Sequence, residues 1–176
     1  IYALALERGA IRPTDILADL PEGASGVNNA DGMFLGPLLP RQALANSRNV
    51  PATNLLKQVG LETNFRFLHD LGLHNVEAPA ENFGLSMAIG SLPTRLESLV
   101  RAYSALAEDG RLGELVQARE QMRRDETRAL SVDSSRLIGS FLSDPLARLP
   151  SFPRYGPTEY NYAVALKTGT SQGYRD

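Results

Sequence analysis

Several residue types and patterns are scarce or missing in the sequence. It contains no cysteine, which excludes disulfide bonds and thiolate chemistry. No apolar run approaches the roughly 20 residues that a membrane-spanning helix needs. Lysine occurs only twice, at Lys57 and Lys167, against sixteen arginines. A chemical role that needs a lysine can therefore be filled from this sequence by only two side chains.

The charge balance argues against a nucleic-acid partner. Eighteen basic residues are offset by twenty acidic ones, giving a net charge of -2, and no long basic run stands out. With 43% hydrophobic residues, the 176-residue chain has the composition of an ordinary globular protein and can bury one core.

Helix dominates the predicted secondary structure. The first residues, IYALALERG, read as a helix that ends at Gly9, and residues 12–37 read as a surface segment with little regular structure. Further helices are predicted from Pro40 to Asn46, 51–60, 62–71, 93–110 and 133–144.

Two helix starts are predicted from their capping residues. Thr94 and Glu97 have the spacing of a capping box, and an apolar stripe follows at helical spacing: Leu96, Leu99, Val100, Tyr103, Leu106 and Ala107. Asp133 is the predicted N-cap of the last helix. Gly110 ends the predicted helix that carries the stripe.

Only one convincing strand is predicted, from Tyr162 to Thr168, buried on both faces. A weak hairpin is predicted over residues 114–131. Since a lone strand cannot satisfy its backbone groups, its partners are expected in that hairpin or outside these residues.

The predicted strand ends in Lys167-Thr168-Gly169-Thr170, which suits an extended anionic ligand. The two hydroxyls can donate to a carboxylate, Lys167 supplies positive potential, and Gly169 lets a substrate backbone approach closely. The amide of Thr170 can serve as an oxyanion donor. A bare K-T-G is equally compatible with a solvated turn, so it needs a second motif.

That second motif is Ser47-Arg48-Asn49, which lies between two predicted helices. A hydroxyl and an amide two residues apart in a tight connection can point into one cleft, although Ser and Asn are also common helix caps. Serine motifs of this kind, S-x-x-K and S-D-N, occur together with K-T-G in class A β-lactamases and penicillin-binding proteins.

Longer stretches around these motifs carry a resemblance to one family. LANSRNVPATNLLKQVG, LSMAIGSLPTRLESLVRAYSALAEDG and ALKTGTSQGYRD resemble the corresponding segments of class A penicillin-binding protein transpeptidase domains, most closely the 1C group. The resemblance implies an α+β fold of the β-lactamase and transpeptidase type, in which this chain supplies mainly the helical part and the K-T-G strand.

One element of the family pattern is missing. No S-x-x-K, the motif that carries the nucleophilic serine in that family, occurs in the sequence. We therefore expect residues 1–176 to form a partial transpeptidase domain, without the nucleophile segment and the C-terminal sheet strands. As a hypothesis, these residues alone are catalytically inactive, while the parent protein is a serine-type D,D-transpeptidase.

The resemblance also implies roles for the motif residues. Ser47, Asn49 and Lys167 would be catalytic: Ser47 relays a proton with the help of Lys167, and Asn49 holds the peptide. Thr168, Gly169 and Thr170 would bind the terminal carboxylate of a D-alanyl-D-alanine stem peptide or of a β-lactam.

The same resemblance gives expectations about binding partners and cellular location. No cofactor, metal or nucleic acid is implied. The implied partners are peptidoglycan stem peptides and β-lactam antibiotics. The implied parent is anchored to the inner membrane on its periplasmic face and can carry a glycosyltransferase domain.

Two rival functions remain open. A β-lactamase or D-alanyl carboxypeptidase would use water as the acyl acceptor, and a non-catalytic module would keep the cleft without the chemistry. The five-residue spacing of His69 and His74 does not favour a metal site, and Asp70 beside His69 has no serine at the spacing of a catalytic triad.

Overall fold

The computed structural model describes residues 1–21, 26–116 and 126–169. In this part of the chain, helices and two small antiparallel sheets follow one another in this order: α1 (Tyr2–Glu7), β1 (Leu17–Asp19), β2 (Gly36–Leu38), α2 (Pro40–Ala45), α3 (Asn49–Val59), α4 (Leu61–Asp70), α5 (Leu96–Ala107), β3 (Arg111–Leu112), β4 (Thr127–Arg128) and α6 (Val132–Ser143). Two 3-10 helices, Ala80–Asn82 and Gly84–Ile89, lie between α4 and α5.

The main core forms where helices α1, α2, α3 and α6 meet. Burial of apolar side chains from all four is the main stabilising term that holds these helices together. The predicted N-terminal helix is confirmed, and Gly9 follows it with a positive φ of 64°. The buried cluster consists of Tyr2, Ala5, Ile11, Leu38, Ala43, Leu55, Ile138, Phe141 and Leu142.

The described residues of the segment from 12 to 37 include strand β1 and the start of strand β2, which the sequence did not predict. Strands β1 and β2 pair in antiparallel register, with Leu17 opposite Leu38 and Asp19 opposite Gly36. The carboxylate of Asp19 is fully buried. The prediction of a surface segment with little regular structure therefore holds for most of the described residues of this range, but it missed the two strands and the buried Asp19, because a three-residue strand has too short a pattern to be recognised.

Helices α2, α3 and α4 agree with the predicted boundaries to within about two residues. Proline at the first position of α2 suits a helix start, since that residue's missing N–H has no partner to lose. Helix α3 ends at Gly60, whose φ of 102° is outside the helical range. The interruption at 47–48 between α2 and α3 is also present, and it positions the candidate site.

The start of α5 differs from the prediction. Its N-cap is Arg95, without a side-chain cap, and the Thr94 hydroxyl bonds to the carbonyl of Leu92 instead of closing a capping box. The apolar stripe is only partly buried: four of its residues are exposed in this chain, Leu96, Leu99, Val100 and Tyr103. The periodicity predicted the helix correctly, but periodicity cannot say whether a neighbour covers the apolar face.

Helix α6 is capped by Ser131 and not by the predicted Asp133. The Ser131 hydroxyl accepts a hydrogen bond from the Ser134 amide at 3.2 Å and donates to the Glu7 carboxylate at 2.7 Å. The cap lies at Ser131 and not at Asp133 because the Glu7 carboxylate binds Ser131 and so links α1 to the start of α6. The bonds of this carboxylate to the serine hydroxyls and the Ser131 amide outweigh its burial and lower the pKa of Glu7.

The short antiparallel pair β3–β4 joins Arg111 to Arg128 and Leu112 to Thr127. Its second strand lies in the range predicted for a hairpin, 114–131, but its first strand precedes that range, and residues 117–125 lie outside the described residues.

The segment that ends in K-T-G has no strand assignment over its described part. Residues 163–169, which we call the terminal ribbon, are half-buried or exposed, so the prediction of a strand buried on both faces was wrong. The physical reason is the absence of a neighbouring strand among the described residues, because a strand is defined by its ladder of hydrogen bonds. The ribbon instead bonds once to a helix end, from the Leu166 amide to the Leu142 carbonyl, at 3.1 Å.

No helix in the described ranges has both the length and the apolar character needed to cross a membrane.

Candidate active site

The Ser47-Arg48-Asn49 turn is formed by the way helix α2 ends. The Ser47 amide donates to the Leu44 carbonyl and the Arg48 amide donates to the Ala43 carbonyl, both at 3.0 Å. This is the Schellman pattern, in which the residue after the C-cap takes a left-handed conformation. Ser47 is that residue, with φ of 56°, although glycine is the usual choice. A strained non-glycine residue at this position is typical of a functional site.

A buried ion pair holds the middle residue of the turn. The guanidinium of Arg48 donates to the Asp19 carboxylate at 2.8 Å, and the two side chains are only 3% and 0% exposed. A second carboxylate, that of Asp31, accepts from Arg48 at 2.8 and 3.2 Å. The Arg48 hydrogen bonds lower the pKa of Asp31. The turn is therefore tied to both ends of the segment between β1 and β2.

Asn29 joins the same network and reaches the start of helix α3. Its side-chain amide donates to Asp19 at 2.6 Å, and its side-chain oxygen accepts from the Asn49 amide at 2.8 Å and from the Val50 amide at 3.4 Å. Asn29 thereby satisfies two of the amides that every helix start leaves without intrahelical partners. Charged and amide side chains thus fix the backbone on both sides of Arg48.

Lys167 meets Ser47 across 120 sequence positions. The Lys167 ammonium donates to the Ser47 hydroxyl at 2.5 Å and to the Thr168 carbonyl at 2.6 Å. The Ser47 hydroxyl also lies 3.5 Å from the same Thr168 carbonyl, to which it donates weakly. The two motifs predicted to share a pocket are therefore in direct hydrogen-bond contact.

Burial changes the chemistry of this lysine. Burial lowers the pKa of Lys167 to about 8, because a charged ammonium loses part of its hydration there. Both of its hydrogen-bond partners described above are uncharged. An ammonium with such a pKa is a better proton donor than a solvated lysine and changes its charge close to physiological pH.

The other predicted site residues lie close by but make fewer contacts with the pair. The Asn49 side-chain amide donates to the Asn28 carbonyl at 3.0 Å, so in this structure it is hydrogen-bonded to the backbone of the same chain. Gly169 is exposed, and a Cβ added there would meet no described atom within 4 Å. Thr168 contributes its carbonyl to the Ser47–Lys167 contact, and Thr170 lies outside the described residues.

Sequence reasoning missed the residues that support the turn. Asp19 and Asn29 lie in the segment assigned to the surface, and Arg48 was given no role. The one available signal was an arginine in the middle of an otherwise small turn. Its carboxylate partners are 29 and 17 positions away, at spacings that no local pattern reveals.

The two histidines do not form a ligand pair. Their rings are 5.7 Å apart, edge to face, and both ring nitrogens of His74 contact backbone groups, the Phe65 carbonyl and the Val76 amide. His69 is exposed and lies 3.4 Å from the Asp70 carboxylate.

The sequence and fold were compared with known proteins. The model of the family described as "Penicillin binding protein transpeptidase domain" matches residues 1–176. Penicillin-binding protein 1C of Escherichia coli strain K12 is 34% identical over 185 aligned positions, which cover 100% of this chain and 22% of that protein. The chain thus spans about a fifth of the length of this relative.

Solved structures agree in fold at lower sequence identity. A peptidoglycan glycosyltransferase from Burkholderia ambifaria superposes with a TM-score of 0.69 at 19% identity, covering 81% of this chain and 52% of that one. The transpeptidase domain of Burkholderia pseudomallei penicillin-binding protein 3 gives 0.66 at 20% identity, covering 81% and 49%. The helical core with small antiparallel sheets is therefore an α+β fold of the transpeptidase type.

Proposed function

The chain belongs to the penicillin-binding protein transpeptidase family, and from this premise we propose that residues 1–176 are part of a cell-wall D,D-transpeptidase. The enzyme would cross-link D-alanyl-D-alanine stem peptides of peptidoglycan through a serine acyl-enzyme. The observation that carries the proposal is the 2.5 Å contact between the Lys167 ammonium and the Ser47 hydroxyl.

The reaction we propose has two acyl-transfer steps. A serine in an S-x-x-K segment, which these 176 residues do not contain, would lose its hydroxyl proton to the lysine of that segment and attack the carbonyl between the two D-alanines. The peptide bond breaks, and the terminal D-alanine leaves with a proton on its nitrogen. An amine of a neighbouring stem peptide then attacks the ester, loses a proton, forms the cross-link and releases the serine.

Ser47 and Lys167 would deliver the proton that the leaving nitrogen needs. The hydroxyl accepts a hydrogen bond from the Lys167 ammonium and can donate its own proton to a group placed opposite. A positioned proton donor of this kind contributes typically about 10²–10⁴-fold to a rate. The lowered pKa of Lys167 favours release of a proton along this path.

The neighbouring groups would bind the substrate. Asn49 would exchange its bond to the Asn28 carbonyl for one to the stem peptide, and the exposed Gly169, with no described atom within 4 Å of an added Cβ, would admit an extended chain. The hydroxyls of Thr168 and Thr170 would take the terminal carboxylate. A β-lactam presents a carboxylate and a strained amide at a similar separation, so it would occupy the same place.

The cellular setting is part of the proposal. We place the parent protein at the periplasmic face of the inner membrane, anchored outside the described residues and with stem peptides and β-lactams as ligands. A glycosyltransferase domain in the same protein would supply the glycan strands that the transpeptidase joins.

The test uses the full-length protein and a fluorescent penicillin. Ser47→Ala and Lys167→Ala should each lower the second-order rate of covalent labelling by about 10²-fold or more. Lys57→Ala is the matched control, since Lys57 is the only other lysine in the sequence and is exposed on α3. Labelling at the wild-type rate in both site variants would refute the proposed roles.

Product analysis separates the transpeptidase from its rivals. With stem-peptide substrates, the transpeptidase yields cross-linked dimers. A carboxypeptidase or β-lactamase yields only hydrolysed monomers or opened lactam, and a non-catalytic module yields neither product.

A further inference from the structure

A buried asparagine lies directly before the strained serine of the turn. Asn46 is 2% exposed, and its side-chain amide donates to the carbonyls of Ala147 at 2.7 Å and Leu149 at 2.9 Å. Its side-chain oxygen accepts from the Ser151 amide at 3.0 Å. The Asn46 side chain, next to Ser47, therefore bonds to the backbone of every second residue from 147 to 151, in a loop about 100 positions later in the sequence.

The residue enclosed by those contacts is a buried arginine. Arg148 is 4% exposed, and its guanidinium donates to three carbonyls: Leu142 at 2.9 Å, Thr158 at 2.9 Å and Val164 at 3.3 Å. Val164 belongs to the terminal ribbon. The forked guanidinium thus joins the end of α6, the 145–160 loop and the ribbon in one arrangement.

The two side chains, linked through the backbone of residues 147–149, form a brace between the halves of the site. From the turn, the brace runs through Asn46 to the loop, then through Arg148 to the ribbon that carries Lys167. The Leu166 amide adds a parallel bond to the Leu142 carbonyl. These side-chain contacts connect segments that have no secondary-structure pairing with each other.

We propose that Asn46 and Arg148 are positioning residues that set the approach of Lys167 to Ser47, an inference that rests on the proposed function. Neither side chain touches the reacting groups in the structure. Both act through the backbone on either side of the 2.5 Å contact. A displacement of about 1 Å in such a contact can lower a rate by about 10²-fold, so the brace affects the rate as well as the stability.

The first measurement compares two buried asparagines in the full-length protein. Asn46→Ala should lower the rate of labelling by fluorescent penicillin by roughly 10- to 100-fold. The control is Asn64→Ala, because Asn64 is also buried, at 1% exposed, and donates to the carbonyls of Leu56 and Gly60, away from the turn and the ribbon. The control should lose stability and keep its labelling rate.

The second measurement tests whether Asn46 acts through Ser47. If it does, adding Asn46→Ala to Ser47→Ala should lower the rate by no more than about twofold beyond Ser47→Ala alone, since the contact is already lost. A double variant that loses the product of the two single effects would overturn the inference. So would an Asn46→Ala rate equal to that of the Asn64→Ala control.

A second variant covers the case in which Asn46→Ala does not fold. Arg148→Lys keeps the positive charge but cannot reach three carbonyls, so it should show the same loss of rate and the same non-additivity with Ser47→Ala. Unchanged labelling in this variant would also overturn the inference.

The two proposals fail in different ways. Full activity of Ser47→Ala would refute the proposed role of the contact itself. A strong effect of Ser47→Ala together with additive effects of Asn46→Ala and Arg148→Lys would refute only the brace.

Discussion

The two halves of the candidate site are built differently. The Ser47 turn lies between two helices and is fixed by backbone bonds and by the buried network of Arg48, Asp19 and Asn29. The ribbon that carries Lys167 has no strand partner among the described residues and depends on a few bonds to loop and helix-end groups. The turn is therefore held by many backbone and buried side-chain bonds, whereas the ribbon is positioned by only a few bonds.

This difference predicts whether a substitution lowers mainly the stability or mainly the activity. Damage to the turn network should show first as lost stability, because a buried charge is left without its partner. Damage to the ribbon should show first as lost activity, because only the approach of Lys167 changes.

Arg48→Met should lower the free energy of unfolding by about 3–5 kcal/mol. The substitution leaves the fully buried Asp19 carboxylate without its cation, and breaking a buried ion pair on one side costs about this much. Urea-induced unfolding of the transpeptidase domain measures the change.

Arg66→Met is the control for that prediction. Its partner Glu62 is 2.7 Å away, but both side chains are more than half exposed, and such surface pairs contribute about 1 kcal/mol or less. Equal losses from the two variants would contradict the description of Arg48 as the anchor of the turn.

The penicillin labelling rate should fall as pH rises through about 8. Burial lowers the pKa of Lys167 to about 8, so its ammonium is present below that pH and is lost above it. Each further pH unit should reduce the Lys167-dependent rate about tenfold. Lys167→Arg keeps its charge throughout this range, so its labelling rate should not fall as pH rises through about 8. If the rate of Lys167→Arg falls at the same pH as that of the wild type, a group other than Lys167 causes the fall.

The same pKa shift predicts a stability change of the opposite sign. The folded state binds fewer protons than the unfolded state between pH 8 and 10.5, so the contribution of Lys167 to stability rises across this window. Lys167→Met should remove that rise in a series of urea titrations at different pH values, and an unchanged slope would contradict the burial of Lys167.

Ser47→Gly should be more stable than Ser47→Ala by about 1 kcal/mol. Both variants lose the hydroxyl, so the difference isolates the backbone, and a left-handed φ of 56° suits glycine better than alanine. Both should be equally poor in penicillin labelling. An alanine variant as stable as the glycine variant would argue against strain at this position.

The sequence predicted the parts of the molecule that rest on local patterns. Apolar periodicity and the residues Pro40, Gly9 and Gly60 placed the helices, since these signals act within a few positions. The two short motifs predicted that Ser47 and Lys167 share a pocket. That prediction drew on a resemblance to a family in which the motifs occur together, and the 2.5 Å contact agrees with it.

Other features depend on distant groups and left no local pattern. The capping role of Ser131 depends on Glu7, 124 positions away. The buried Asp19 carboxylate is paired with Arg48, 29 positions away. The terminal ribbon has the residue pattern of a strand, but a strand also needs a neighbour to pair with. The catalytic roles of Ser47, Asn49 and Lys167 and the binding roles of Thr168, Gly169 and Thr170 remain predictions.

A double-variant cycle on Ser47 and Lys167 measures whether the two side chains contribute to the reaction jointly. The labelling rate of the full-length protein by fluorescent penicillin is compared for Ser47→Ala, Lys167→Ala and the double variant. If the hydroxyl and the ammonium act as one unit, the double variant should be no more than about threefold slower than the slower single variant. Losses that multiply would show that the two groups act independently and would contradict the account.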